Sequence, residues 1–75
     1  MEKIKSIWEL RDVLRHFAWD FGGDEKARRL FNLITDPDLP KKLREEVANE
    51  VIEYLRRKGY ELAEGVIEHI RRRAI

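Results

Sequence analysis

Three breaks decide what this chain can fold into: Gly22-Gly23, the TDPDLP stretch from Thr35 to Pro40, and Gly59. Glycine takes up the left-handed conformation that turns a helix off, and proline lacks the N–H that would continue one. Between the breaks, apolar residues recur every three or four positions, the spacing of amphipathic helices. The pattern predicts an all-α fold, a compact bundle of four main helices at about 6–21, 24–35, 40–58 and 60–74 behind a short N-terminal segment. Because the segments differ in length and in the kind of joint, irregular packing is expected rather than a strict up-and-down bundle. A chain of 75 residues makes one domain, 1–75.

Each segment carries its own signals. Ser6 followed by Glu9 is a capping box, in which the hydroxyl accepts from an early backbone N–H and the carboxylate reaches back. Leu10, Val13, Leu14, Phe17 and Phe21 form the stripe of the first helix. Asp24 caps the second, whose apolar face is Ala27, Leu30, Phe31 and Ile34 with Leu33 beside them; Arg28 and Arg29 are expected to point outward. The third helix opens at Pro37 or Pro40, with Asp36 or Asp38 as cap. Its face of Leu43, Val47, Val51 and Tyr54 is widened by Ala48, Ile52 and Leu55 to an arc of ~160° at ~100° per residue. So broad a stripe predicts a central helix with more than one neighbour. Gly59 then reads as a one-residue corner into a fourth helix through Leu62, Ala63, Val66, Ile67 and Ile70. Val47, Val51, Leu55 and Ile67 are expected to be nearly fully buried. In the segment before Ser6, Ile4 is the one plausible anchor.

Composition excludes several classes. There is no cysteine, so neither a disulfide nor a thiolate metal site supports the fold. Sixteen Lys and Arg against 15 Asp and Glu give a net charge of +1, far from the basic excess of most nucleic-acid binders. A nucleic-acid partner is therefore not expected. No apolar run approaches the ~18 residues of a membrane span, and the opening residues lack a signal-peptide pattern. A soluble, cytoplasmic protein is the expectation.

The polar residues show no catalytic or ligand pattern. His16 and Asp20 lie one helical turn apart and could both face a metal, whereas His69 and Glu68 diverge as helix neighbours do. Asp36 and Asp38 have the spacing of the first two ligands of a calcium loop. Lys41 then stands at its glycine position and Val47 at its bidentate glutamate. HExxH, the phosphate-binding glycine loop and the GxSxG elbow are missing. Arg71, Arg72 and Arg73 complement the negative end of the last helix. No enzyme, no cofactor and no metal is expected.

The two tryptophans lie off the oily stripe. Trp8, Asp12, Arg15 and Trp19 form a second stripe on the opposite side of the first helix, aromatic at both ends and charged between. Tryptophan fills irregular gaps in small cores and is also enriched where partners dock. The expectation is burial within the monomer, with Trp19 mostly covered by the returning second helix and Trp8 half exposed.

Val47 to Arg73 resembles a helix pair of the caspase-recruitment class of death-fold domains, and LRRKGY is similar to a helix junction of RecX recombination regulators. Both rest on Leu55, Gly59, Tyr60 and Ala63, and neither carries a functional residue over. Over its whole length the chain resembles computationally designed helical proteins: no cysteine, helices filled with Glu, Lys, Arg, Leu and Ile, and orderly caps and turns. Gly65 within the fourth helix, Asn49 in the third and the off-stripe tryptophans depart from that pattern. The resemblance implies a stably folded, monomeric helical scaffold with no natural biochemical activity and no required partner. The alternative is a small protein-interaction module that docks through Trp8, Asp12, Arg15 and Trp19.

Overall fold

In the computed structural model, which describes residues 1–20 and 22–75, the order is β1 (Glu2–Ile4), α1 (Ile7–Trp19), α2 (Glu25–Ile34), α3 (Lys41–Arg57), β2 (Tyr60–Leu62) and α4 (Glu64–Arg72). The expected place of Phe21 on the first stripe lies outside the described residues. The Cα radius of gyration is 11.2 Å, close to the ~11 Å of a compact chain of this length.

The caps form as their residue types dictate. Ser6 Oγ accepts from the Glu9 N–H at 3.1 Å, and Glu9 Oε1 accepts from the Lys5 N–H at 3.0 Å. Asp24 Oδ1 accepts from the Lys26 N–H at 2.9 Å to start α2. Gly22 and Gly23 both have positive φ, 88° and 71°, as the turn between α1 and α2 requires. At the proline break Pro40 itself holds the cap position of α3 without a side-chain bond. Asp36 instead closes the preceding turn, its Oδ1 accepting from the Asp38 N–H at 2.9 Å.

The core joins all four helices through Leu10, Leu14 and Ala18 of α1, Ala27, Leu30 and Ile34 of α2, Val47, Val51 and Leu55 of α3, and Val66 and Ile70 of α4. The four-helix architecture is as expected, and the broad stripe of α3 does meet both α2 and α4.

A small sheet was not foreseen. Glu2–Ile4 pairs in parallel with Tyr60–Leu62, with Glu2 opposite Tyr60 and Ile4 opposite Leu62. Glu2 N–H donates to Gly59 O at 3.0 Å, and Ala63 N–H donates to Ile4 O at 2.9 Å. Tyr60 therefore begins a strand and not a helix, and α4 starts four residues later than the periodicity suggested. Leu62 and Ile4 are buried by this pairing. The later start also accounts for Gly65, which sits in the first turn of α4 with nothing near a would-be Cβ. There its missing side chain costs less than in a helix interior.

Four side chains are placed differently from expectation. Ile67 is only partly buried: Val66 and Ile70 take the inward side of α4, leaving Ile67 beside Ile52 along a shallow pocket. Leu43 is exposed while Arg44 is buried, because Arg44 Nη2 donates to the carbonyls of Asp36 (2.9 Å) and Pro37 (3.2 Å). Those carbonyls lie in a proline-broken turn, outside the helical hydrogen-bond ladder. Arg28 turns back instead of outward and donates to the Ala18 carbonyl at 2.9 Å, bracing the end of α1. Trp19 is the fourth, and it lies on the outer face of α1.

Candidate interaction face

Leu10, Leu14 and Ala18 anchor α1 inward, which leaves Trp8, Asp12, Arg15 and Trp19 in an arc of ~60° on the outer side at ~100° per residue. All four side chains are exposed and share that face. Trp8 is 62% exposed and Trp19 48%. Between them Arg15 Nη2 lies 3.2 Å from Asp12 Oδ1, both side chains more than half in solvent. An ion pair so exposed adds little to folding.

Expected burial of Trp19 is thus corrected. The second helix does return beside it: the Phe31 ring meets the Trp19 ring edge-on, with centroids 5.1 Å apart and planes at 88°. But α2 packs through Ala27, Leu30 and Ile34, and Phe31 is itself only partly buried. One ring against one edge leaves much of the indole in water. The result is an aromatic shelf of Trp19 and Phe31 at one end of α1 and Trp8 at the other.

Next to this face His16 Nδ1 and Asp20 Oδ2 are 2.8 Å apart, one turn from each other as their spacing implies. Among the described residues no group of three or more His, Asp or Glu side chains is placed to hold a metal ion. His69 is away from this pair, its Nε2 at 3.2 Å from the Ala74 carbonyl at the end of α4. Asp36 and Asp38 are engaged in their turn.

A cleft of about 800 Å3 lies between the start of α3 and the end of α4, walled by Lys41, Arg44, Arg71, Arg72 and Arg73. Three of these five cations have partners beside the cleft. Glu68 pairs with Arg72 at 3.2 Å and lies 3.7 Å from Arg71, and Arg44 is committed to the carbonyls of Asp36 and Pro37. Arg71 and Arg72 therefore serve the end of α4 through Glu68.

A polar knot beneath α1 fixes how the helices meet. Tyr54 Oη donates to Asp24 Oδ2 at 2.6 Å. This bond, with the Lys26 N–H and the nearby Lys58 ammonium, holds the Asp24 carboxyl below its usual 3.8. Burial, and then the same bond, push the Tyr54 phenol above its usual 10.0. The Phe17 ring stands edge-on to both Tyr54 and Tyr60, each with centroids 6.1 Å away, and Lys58 Nζ sits 5.5 Å from the Phe17 and Tyr54 rings. Phe17 is the member of α1 that joins this knot. Among the described residues no helix is long and apolar enough to cross a membrane.

The sequence placed all four members of the outer stripe on one face; it did not show that the face stays uncovered, nor that Phe31 extends it. Comparison with known proteins finds no matching family model, no similar curated protein and no similar solved structure.

Proposed function

We propose that this domain is a protein-interaction module that docks through the outer face of α1. The carrying observation is that both tryptophans, 62% and 48% exposed, lie on one helix face, opposite the side that Leu10, Leu14 and Ala18 bury in the core. Exposed indoles on a fixed helix combine a large apolar area with low ordering cost on binding, and tryptophan leads the residue types that dominate interfaces. The Asp12–Arg15 pair between them supplies polar contacts that keep the free face in solution and select a partner's register.

The test compares capture of binding proteins by the wild-type domain with capture by W8A, W19A and, as a control at an exposed position on α3, K41A. A protein retained by the wild type and by K41A, and lost on both tryptophan variants with their melting temperatures preserved, supports the reading. Equal capture by all four baits overturns it. A chain that captures nothing and binds nothing through this face would be the inert scaffold that designed proteins resemble.

A further inference from the structure

We infer that the partner of the α1 face is a second copy of this chain, bound antiparallel about a two-fold axis. This rests on the docking role of that face and adds the identity of what docks.

The stripe is symmetric in a way that only one kind of partner uses. Asp12 immediately precedes Val13 and Arg15 immediately follows Leu14; Trp8 lies five residues before Val13 and Trp19 five after Leu14. The stripe therefore has its centre between Val13 and Leu14, with a tryptophan at each end and opposite charges equally spaced inside. A two-fold interface brings residue i against j and j against i. Laid antiparallel about that centre, each Trp8 meets the Trp19 of the other copy, and each Asp12 meets the other copy's Arg15. The 4-3-4 spacing is that of alternating seam positions in a coiled coil, the geometry in which two helices hold such layers in register. The existing Asp12–Arg15 pair at 3.2 Å becomes half of a square of alternating charges. Parallel pairing would set Asp12 on Asp12 and Arg15 on Arg15, so charge selects the antiparallel arrangement.

The ends fit as well. Trp19 stands against Phe31, so the incoming Trp8 meets a shelf of two rings. The exposure at both ends leaves room for the contact, since Trp8 and Trp19 are 62% and 48% exposed. The face of a 13-residue helix is smaller than the ~800 Å2 per partner of a standard interface, which makes the dimer a concentration-dependent one.

Sedimentation equilibrium from micromolar to millimolar protein tests this with D12R, R15D, their equimolar mixture and the double variant D12R/R15D, each checked for helical content. Wild type is expected to dimerise. Each single variant sets like charges across the axis and should associate about tenfold more weakly or worse. The mixture should recover a heterodimer, because D12R then faces R15D across both charge layers, and the double variant should recover the homodimer. Wild type that stays monomeric throughout, dimerisation indifferent to the charge changes, or a mixture no tighter than its components each overturns the second copy as partner. The docking reading fails separately: a monomer that still loses a captured protein on W8A and W19A keeps the face and changes its occupant, and a monomer that loses none ends both.

Discussion

Tyr54 on α3 donates its phenol proton to Asp24 at 2.6 Å, so the carboxylate that caps α2 is also the one α3 holds. One side chain thereby starts a helix and locks that helix to its neighbour. Its carboxyl is held below 3.8, first by the Tyr54 bond and then by the Lys26 N–H, while burial and then Asp24 raise the Tyr54 phenol above 10.0. A depressed carboxyl contributes stability that is present above its unfolded value and lost as pH falls through its folded one. A raised phenol contributes stability that is present below its unfolded value and lost as pH rises toward its folded one. The pair is thus expected to support the fold between about pH 4 and pH 10 and to withdraw that support on both sides. Y54F should cost about 1.5 kcal/mol at neutral pH, the lower end for a hydrogen bond to a charged group. It should also shrink the difference between pH 7 and pH 2.5. Urea unfolding of both proteins across that range measures it; equal acid losses would show that the bond carries no stability.

The helix pairings make a graded set of truncations. Leu55 and Val51 are fully buried, Ile67 is partly buried and Leu43 is 43% exposed. L55A should cost ~2–4 kcal/mol and V51A less, because fewer buried methyl groups are lost. I67A should fall below L55A, and L43A should stay within ~0.5 kcal/mol, as exposed substitutions do. Chemical denaturation of the four variants gives the order directly. L43A more damaging than L55A would reverse the face that α3 turns inward.

What could be read in advance was whatever a short window specifies. As caps and turn residues, Ser6, Glu9, Asp24, Gly22 and Gly23 act within one turn of their own positions, whereas the bond from Tyr54 to Asp24 spans 30 residues and leaves no local signal. The β1–β2 pair was hidden because Leu62, Ala63 and Val66 fit a helical stripe as readily as Tyr60–Leu62 fits a strand. The strand's partner lies more than 50 residues away at the other end of the chain. The burial of Arg44 is invisible to periodicity for a different reason. It depends on two carbonyls in the Pro37 turn, and no periodicity records where a turn's acceptors point. On the candidate face, the helical wheel fixed which residues stand together, while the cover over Trp19 depended on which side of α2 packs inward.

The N-terminal strand is expected to be part of the cooperative unit. Ile4 is 1% exposed and its carbonyl receives the Ala63 N–H just before α4. I4A should cost ~2–5 kcal/mol, the range for large-to-small changes in a core. It should also speed hydrogen exchange at the Ala63 amide. A loss under half a kilocalorie with exchange unchanged would make β1 a loosely attached end.

Two adjacent glycines should respond unequally. Gly22 and Gly23 share the left-handed region, where any L side chain is disfavoured by ~1–2 kcal/mol. A Cβ on Gly22 meets open space, whereas one on Gly23 runs into the Ala18 carbonyl and the Arg28 guanidinium. That is the hydrogen bond with which α2 holds the end of α1. G23A is therefore expected to lower the melting temperature more than G22A. Equal shifts would mean that the Arg28 contact gives way without cost.

The two tryptophans report separately on the face they bound. Trp19 is the less exposed and has the Phe31 ring against it; Trp8 is 62% exposed near the start of α1. In dilute solution, the protein carrying Trp8 alone (W19F) should emit further to the red and be quenched more strongly by iodide than the protein carrying Trp19 alone (W8F). F31A should redden Trp19 and leave Trp8 unchanged, because Phe31 stands against Trp19 at that end of the stripe. Raising the concentration of wild type should then protect both indoles together, since the antiparallel pairing covers each with the other. Emission that is bluer at Trp8 than at Trp19 in the monomer would mean the first helix is turned from the position described. Protection of one indole alone would mean that the stripe meets something other than its own image.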